Sequence, residues 1–160
     1  MQIRRFQDTD AEQISLLVRR NLTEVNIRDY PIDEMRELAD EYRADKIRNI
    51  ASNAHMYVAC EGDDVIGTGS ISSFWGSETE SVLLTIFVLP ELHATGVGRS
   101  IVAALERDEY FLRASQVEVP SSITARAFYE KMGYRYKNDN KMPDAQGLCR
   151  MEKVRLTHTV

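Results

Sequence analysis

Two glycines one residue apart, Gly96 and Gly98, stand where a strand-like apolar run meets a helical pattern, in HATGVGRS. Backbone N–H groups at the start of a helix have no partner inside the helix, and the helix dipole adds partial positive charge there. Glycines leave these groups open to a ligand, and Arg99 adds a positive side chain. The pattern predicts a phosphate or pyrophosphate site, although the glycines could equally serve only a sharp turn.

Two common phosphate-binding patterns do not fit this turn. A Walker loop requires a glycine where this chain has His93. The dinucleotide fingerprint requires Gly or Ala at Ile101 and places the turn after the first strand of a βαβ unit, and the chain meets neither condition. Nucleotide binding of either kind is therefore not expected.

Composition excludes several classes of function. The chain has 160 residues, enough for one domain, and 20 basic against 25 acidic residues give a net charge of -5. This balance argues against broad nucleic-acid binding, which depends on Lys and Arg contacts to phosphates. The N-terminus has no signal-peptide pattern and no apolar run could cross a bilayer, so we expect a cytoplasmic protein without a membrane partner. Cys60 and Cys149 lack metal-ligand or redox spacing, so we expect reduced thiols and no metal.

The elements that would position the turn alternate between strands and helices. The run SVLLTIFV leads into the turn, and its nearly continuous apolar character predicts a strand buried on both faces. Helical spacing of apolar residues begins at Val97, and the whole chain reads β-α-α-β-β-β-α-β-α-β-β. We predict an α/β (α+β) fold, a single domain over residues 1–160 with a mixed, largely antiparallel sheet of about seven strands flanked by four helices.

A third phosphate-binding pattern does fit the turn. The stretch resembles the acetyl-CoA-binding signature of the GNAT family of N-acetyltransferases, roughly V-x-P-x-x-[RQ]-x-x-G-x-G. The matching positions are Val88, Pro90, His93, Gly96 and Gly98. Further on, ARAFYEKMGY is similar to the second signature of the family, A-x-x-F-Y-x-x-x-G-[FY], at Ala125, Phe128, Tyr129, Gly133 and Tyr134. Two signatures in the right order are far more specific than one glycine pair, and the element order also agrees, so the chain is identified as a member of this family.

The resemblance implies how acetyl-CoA is held as co-substrate. In this family the strand SVLLTIFV diverges from QVEV, and the pantetheine arm lies in the gap against backbone groups of Ile86, Phe87 and Val88. The residues expected to surround the pyrophosphate are His93, Ala94, Thr95, Gly96, Val97, Gly98, Arg99 and Ser100. Ser122 stands where the second signature often begins with Asn, so its hydroxyl either replaces a pantetheine contact or leaves it unmade.

The implied reaction is direct attack of a neutral amine on the thioester carbonyl through a tetrahedral intermediate. No covalent enzyme intermediate forms, so neither cysteine is needed, and the Val88 N–H would polarise the carbonyl oxygen. Tyr129 is expected to protonate the departing sulfur, because the family's tyrosine does so at this position. A phenol, with a reference pKa of about 10, stays protonated at neutral pH. The alternative is that Tyr129 only packs beside Phe128.

The base that deprotonates the amine has no residue in either signature. This family often uses a carboxylate near the start of the central strand, sometimes through water, and Glu80 and Glu78 lie there. Glu80 is the favoured base, and the alternative is a solvated charge at a strand end. His93 replaces the Arg or Gln of the signature and is expected to contact phosphate, or nothing, rather than act as base. His158 lies in the tail.

The sequence does not name the acceptor. Specificity in this family comes mostly from variable segments, here NLTEVNIRDYPID, SSFWGSETE and YKNDNKMPDAQ. Tyr30, Phe74, Trp75 and several carboxylates in them could shape a pocket for a cationic amine with apolar character, or could be ordinary loop anchors. We expect acetylation of a primary amine of a small molecule or peptide; the alternative is a non-catalytic acetyl-CoA-binding sensor. The sequence leaves open whether the protein forms a homodimer.

Overall fold

The computed structural model describes residues 1–155, which are built around a seven-stranded sheet. The strands are β1 (Gln2–Arg5), β2 (His55–Glu61), β3 (Asp64–Ser73), β4 (Glu80–Val88), β5 (Gln116–Ser122), β6 (Arg135–Tyr136) and β7 (Leu148–Val154). The helices are α1 (Ala11–Glu24), α2 (Ile32–Glu41), α3 (Ala44–Asn53), α4 (Val97–Leu105), α5 (Glu109–Leu112) and α6 (Arg126–Lys131). Across the sheet the order is β1-β2-β3-β4-β5-β7-β6, and only β4 and β5 pair in parallel.

Two hydrophobic cores stabilise the sheet, one on each face. The first lies under α1, α2 and α3 and includes Ile14, Leu17 and Ile47. The second lies under α4, α5 and α6. Successive strand residues point to opposite faces, so the same strand supplies both cores: Val58 belongs to the first and Ala59 to the second.

Two glycines of β3 allow α4 to lie directly on the sheet. A Cβ on Gly67 would come within 2.7 Å of the Ile101 side chain, and a Cβ on Gly69 would come within 2.6 Å of it. Both distances are well below van der Waals contact, so the helix can take this position only against bare backbone. These glycines thereby set the location of the helix that follows the predicted anion-binding turn.

A β-bulge bends β4 in its second half. Thr68 pairs with Phe87 and Ser70 pairs with Leu84, so β4 has one more residue than β3 over this interval. Within the bulge Thr85 has a φ of +53°, a left-handed conformation that is rare for a β-branched residue. Such bulges increase strand twist, and here the bend turns the end of β4 away from β5.

The pairing between β4 and β5 is confined to the first rows of the two strands. It begins at Glu80 opposite Gln116 and ends at Val82 opposite Glu118. Beyond that row the strands separate, and β5 continues to pair only with β7. The central sheet is therefore split on one side by a wedge-shaped gap.

The predicted fold class is confirmed, with a mixed, largely antiparallel sheet of seven strands. Residues 1–155 contain six α-helices instead of the predicted four, because α3 and α5 are additional. α3 starts after Tyr42 leaves the helical region (ψ 54°) and Arg43 is extended (ψ 169°). Within residues 1–155 no helix is long and apolar enough to span a membrane. His158 lies outside the described residues, and the single domain over 1–160 stays a prediction.

Candidate active site

A cleft lies in the gap between β4 and β5. Its volume of about 620 Å³ is typical of small-molecule sites. Its walls come from α1, α2, β4, the turn before α4, β5, α6 and the loop between β6 and β7. Eight predicted site residues line it: Ile86, Phe87, Val88, His93, Ala94, Gly98, Ser122 and Tyr129. Six others do not: Glu80, Thr95, Gly96, Val97, Arg99 and Ser100.

Val88, the last residue of β4, turns its N–H towards the cleft. It lies opposite Gly67, while the next N–H along the chain, that of Leu89, donates to the Ile66 carbonyl at 2.9 Å. In an antiparallel ladder this pattern marks a pair whose own N–H and C=O point away from the partner strand. The Val88 N–H is therefore directed into the gap, where it can donate to a ligand oxygen.

The Val88 carbonyl oxygen is held by two side chains. Asn21 Nδ2 donates to it at 2.8 Å and to the Leu17 carbonyl at 2.9 Å. His93 Nε2 lies 2.9 Å from the same Val88 oxygen and 3.1 Å from Asn21 Oδ1. Because both neighbours of Nε2 are acceptors, the ring carries a hydrogen there. Only Nδ1 of His93 is left for the predicted contact with an anion.

Asn21 is a site residue that the sequence reasoning missed. It is only 3% exposed and lies in the apolar stripe of α1, between Leu17 and Val25. A buried side-chain amide must find hydrogen-bond partners or lose the free energy of its hydration. A lone Asn at an apolar helical position was the available signal for a tertiary contact.

The turn before α4 presents an arc of free backbone N–H groups. Ala94 (φ +63°) and Gly96 (φ +96°) are both left-handed, and this curls the chain so that amides converge on one side. Among the described residues, no acceptor is bound by the N–H groups of Ala94, Gly96, Val97, Gly98 or Arg99. The Arg99 side chain is exposed beside them. An anion placed here would meet unpaired donors and the positive end of the helix dipole.

The remaining predicted residues of the turn have structural contacts. The Thr95 hydroxyl donates to the Leu92 carbonyl at 2.5 Å, and the Val97 side chain is buried in the core. The Ser100 N–H donates to the Gly96 carbonyl at 3.1 Å, so only the hydroxyl of Ser100 could meet an anion. Their predicted ligand contacts stay predictions.

Gly98 joins the two sequence signatures in space. A Cβ at this position would lie 3.2 Å from two carbons of the Phe128 ring. The ring therefore packs against the first turn of α4, and a Cβ at Gly98 would make it shift by a few tenths of an ångström. At Gly96 the space is open, and the requirement is the left-handed backbone instead.

Tyr129 brings a phenol to the cleft. Its side chain is 5% exposed, and its ring meets those of Phe128 and Tyr134 edge-on at centroid distances of 5.2 and 6.1 Å. Burial raises the pKa of Tyr129 well above its usual value, so the hydroxyl is protonated at neutral pH. The structure shows Tyr129 both packed in the core and lining the cleft.

Two hydroxyls, at the last residue of β5 and just beyond it, lie along the same wall. Ser122 Oγ accepts a hydrogen bond from the Ala125 N–H at 3.1 Å, which stabilises the turn into α6 and leaves the Ser122 proton free to donate. Thr124 also lines the cleft, and its Oγ1 is buried with no partner among residues 1–155. Thr124 was not predicted from the sequence.

The carboxylates predicted as bases lie away from the cleft wall. Glu80 begins β4 at the closed end of the gap, opposite Gln116, whereas Val88 ends the strand at the open end. Glu78 is exposed in the preceding loop. In the described chain no Asp or Glu side chain lines the cleft. The role of Glu80 as base stays a prediction.

Two of the three predicted acceptor segments reach the cleft. The first contributes Asn26 and the last contributes Gln146, whereas Trp75, in the segment between β3 and β4, is 91% exposed and does not line it. Tyr30 joins the walls, because its hydroxyl donates to the Gly147 carbonyl at 2.5 Å and accepts from the Ile123 N–H at 2.8 Å. Over residues 1–155 no cluster of His, Cys, Asp or Glu is suited to a metal ion.

Comparison with known protein families identifies the fold. A family model described as an acetyltransferase (GNAT) domain matches residues 52–136. The chain belongs to the GNAT family. The matched residues run from β2 to β6 and include the turn before α4 and Tyr129, which are two of the principal parts of the cleft. This GNAT chain is accordingly an acetyl-CoA-dependent N-acetyltransferase.

Solved structures share the fold over nearly the whole chain. PaiA N-acetyltransferase from Thermoplasma acidophilum, in complex with coenzyme A, is 16% identical with a TM-score of 0.82, over 96% of this chain and 98% of that chain. An aminoglycoside 6'-N-acetyltransferase complexed with coenzyme A is 18% identical with a TM-score of 0.74, over 100% of both chains. The aminoglycoside 6'-N-acetyltransferase from Enterococcus faecium is 17% identical with a TM-score of 0.74, over 100% of both chains. No curated protein matches by sequence.

Proposed function

We propose that this GNAT enzyme acetylates a primary amine of a small molecule or peptide in the cleft between β4 and β5. One observation carries the proposal: Val88, Tyr129 and two residues of the turn with free amides, Ala94 and Gly98, line the same cleft. An anion site, a donor for a carbonyl oxygen and a proton donor are the three groups that acetyl transfer from acetyl-CoA needs.

The turn and the open strand would hold the co-substrate. The pyrophosphate would accept hydrogen bonds from the amides between Ala94 and Arg99, with the exposed Arg99 guanidinium adding charge. The pantetheine arm would then run along Ile86 to Val88, within reach of the Ser122 hydroxyl across the gap. Two solved structures of the same fold are complexes with coenzyme A, which supports a coenzyme site in this architecture.

The chemistry follows from the groups beside the thioester. The amine nitrogen attacks the carbonyl carbon, and the developing oxyanion accepts a hydrogen bond from the Val88 N–H. Collapse of the tetrahedral intermediate breaks the C–S bond, and Tyr129 gives its proton to the departing sulfur. The amine nitrogen loses a proton to water in the cleft, and the tyrosinate regains one from solvent. The products are the N-acetylated amine and CoA.

The test is a comparison of two acetyl donors. With purified protein and a panel of primary amines, CoA release is measured by a thiol-reactive reagent, first with acetyl-CoA and then with S-acetylpantetheine, which lacks the pyrophosphate. We expect an acetylated product with acetyl-CoA, and a KM at least tenfold higher with S-acetylpantetheine because the turn has no anion to bind. Equal KM values would contradict the anion site, and no release with any amine would contradict the proposed activity.

A further inference from the structure

We infer that the acceptor is a primary amine carried on a single apolar aliphatic or aromatic body, and not a polyamine or an aminosugar. The inference rests on the proposed acetyl transfer in the same cleft. Its basis is the acceptor wall, by which we mean six apolar cleft residues on β4, on β7 and on α1 and α2 with the residues that end these helices. These residues are Leu22, Val25, Leu38, Tyr42, Leu84 and Leu148, and Asn26 and Gln146 add two uncharged amides to the cleft.

The acceptor wall is apolar and firmly packed. Leu22 and Val25 are 2% and 8% exposed, so both are anchored in the core behind the cleft. Leu38, Tyr42 and Leu148 are half-buried and can each cover part of an apolar ligand. Contact with such a wall removes apolar ligand surface from water, which is favourable. An aliphatic or aromatic body gains this free energy, and a polyhydroxylated one gains much less of it.

No charge is available on the cleft wall for a second ammonium group. Within residues 1–155 no Asp, Glu, Lys or Arg side chain lines the cleft. Two carboxylates close to cleft residues in the chain have partners: Glu118, on β5, pairs with Arg150 and lies 3.6 Å from Lys137. Asp144, two residues before Gln146, accepts from the N–H groups of Gln146 and Leu148 at 2.9 and 3.0 Å. A polycation entering here would lose its water without gaining an anionic partner.

The same apolar surroundings assist the reacting amine. Burial in a medium of low polarity disfavours the ammonium form and lowers the pKa of the amine. A larger fraction of bound acceptor is then the neutral nucleophile. The apolar wall, which has no carboxylate among the described residues, thus favours both the neutral form of the amine and an acceptor with a single amine.

A hydrogen-bonded bridge limits the width of the acceptor. Tyr30 links the segment between α1 and α2 to Ile123 beside β5 and to Gly147 beside β7. Gly147 has a φ of +77°, and a Cβ there would lie 3.0 Å from the Tyr30 ring, so the bridge needs glycine at this position. The neighbours of both partners, among them Thr124 and Leu148, line the cleft. The acceptor wall is therefore tied to the opposite wall, which suits a slim amine.

Matched amines of equal length test the inference. Initial rates of CoA release are measured for n-hexylamine and 1,6-diaminohexane, which differ by one terminal charge, and for phenethylamine and kanamycin. We expect kcat/KM for hexylamine to exceed that for diaminohexane at least tenfold, with phenethylamine accepted and kanamycin not. The inference is overturned if diaminohexane or kanamycin is the better substrate. If no amine releases CoA and calorimetry detects no binding of acetyl-CoA, the proposed function fails instead.

A pair of variants checks that the acceptor wall sets this preference. Leu38→Glu places a carboxylate on the half-buried part of the wall, and Leu38→Gln is the control of equal size without charge. The ratio of kcat/KM for diaminohexane to that for hexylamine should rise at least tenfold in Leu38→Glu relative to Leu38→Gln. Equal ratios in two folded variants with unchanged acetyl-CoA affinity would show that the amine binds elsewhere and would overturn the inference.

Discussion

His93 holds the carbonyl oxygen of Val88 at 2.9 Å and thereby ties the turn before α4 to the end of β4. Helix α1 strengthens the connection, since Asn21 donates to the same oxygen at 2.8 Å and Arg20 binds Glu91 at 2.8 Å. The proposed pyrophosphate site is thus fixed relative to the Val88 N–H, which is the proposed donor to the thioester.

Removal of the His93 imidazole should weaken acetyl-CoA binding. In His93→Ala the turn loses its hydrogen bond to β4, so we expect the KM for acetyl-CoA to rise about three- to tenfold, the range expected for one hydrogen bond of about 1 kcal/mol. His93→Gln is the matched variant, because its amide can donate to the same oxygen. It should retain most of the affinity in initial-rate measurements. A His93→Gln enzyme as impaired as His93→Ala would contradict this role.

Gly96→Ala should impair the turn through backbone strain. An alanine at φ +96° costs about 1–2 kcal/mol, and the turn can relieve that strain by moving its amides out of line. We expect a weaker Kd for acetyl-CoA by calorimetry together with a small loss of thermal stability. The control is Gly62→Ala in the hairpin between β2 and β3, where φ is +59° and the space is open. It should lower stability to a similar extent and leave the Kd unchanged; an equal loss of affinity in both would count against a specific role for the turn.

Tyr30→Phe should affect the amine and not the coenzyme. The change leaves the Gly147 carbonyl and the Ile123 N–H without their partner, so the acceptor wall loosens. We expect the amine KM to rise several-fold at an unchanged acetyl-CoA Kd. Tyr57→Phe, a variant of another half-buried phenol outside the cleft, should leave both constants unchanged. A change of the Kd in Tyr30→Phe would mean that the bridge supports the whole cleft and not its acceptor side.

A cluster around Asp108, outside the cleft, should make stability depend on pH in two directions. Asp108 accepts from Tyr57 Oη at 2.6 Å and from the Tyr110 N–H at 2.8 Å, and His55 Nδ1 lies at 2.9 Å. Burial raises the pKa of Asp108, but these hydrogen bonds together bring it below its usual value. Burial is the main cause that raises the pKa of Tyr57 to about 12, and the hydrogen bond to Asp108 is the second.

The direction of each pKa shift determines whether the stability is lost at low or at high pH. The contribution of Asp108 is present above its unfolded pKa of about 3.9 and is lost as pH falls through the lowered folded value. The contribution of Tyr57 is present below its unfolded pKa of about 10 and is lost as pH rises towards 12. Urea unfolding of the wild type and of Tyr57→Phe across this pH range is the measurement. Tyr57→Phe should lower stability at neutral pH and flatten the alkaline loss; an unchanged alkaline slope would contradict the assignment.

The parts of the site that could be predicted from the sequence are those whose residues are close together in the chain. Strand, turn and helix from Ile86 to Ser100 are consecutive, so their apolar pattern and glycines indicate an anion site and its orientation. Tyr129 could be predicted because its signature is one continuous segment of ten residues around a short helix. In both places local structure already determines which groups are exposed.

The rest depends on contacts between distant segments. Asn21 and Tyr30 act at the site only because α1 and the segment after it pack against β4 and the loop before β7. The distance of Glu80 from the cleft has a related cause: Glu80 begins β4 as predicted, but the gap opens at the other end of the strand, where the bulge at Thr85 bends it away from β5. Its role as base stays a prediction. No local pattern indicates where two strands will separate.

In the proposed reaction the cleft between β4 and β5 transfers an acetyl group, and Tyr129 supplies the proton to sulfur. The most direct measurement is kcat for CoA release by Tyr129→Phe beside its acetyl-CoA Kd, with Tyr134→Phe as a buried phenol whose hydroxyl bonds Glu106 instead. We predict that Tyr129→Phe lowers kcat by about 10²-fold or more at an unchanged Kd, while Tyr134→Phe keeps kcat. An unchanged kcat in Tyr129→Phe would contradict the account.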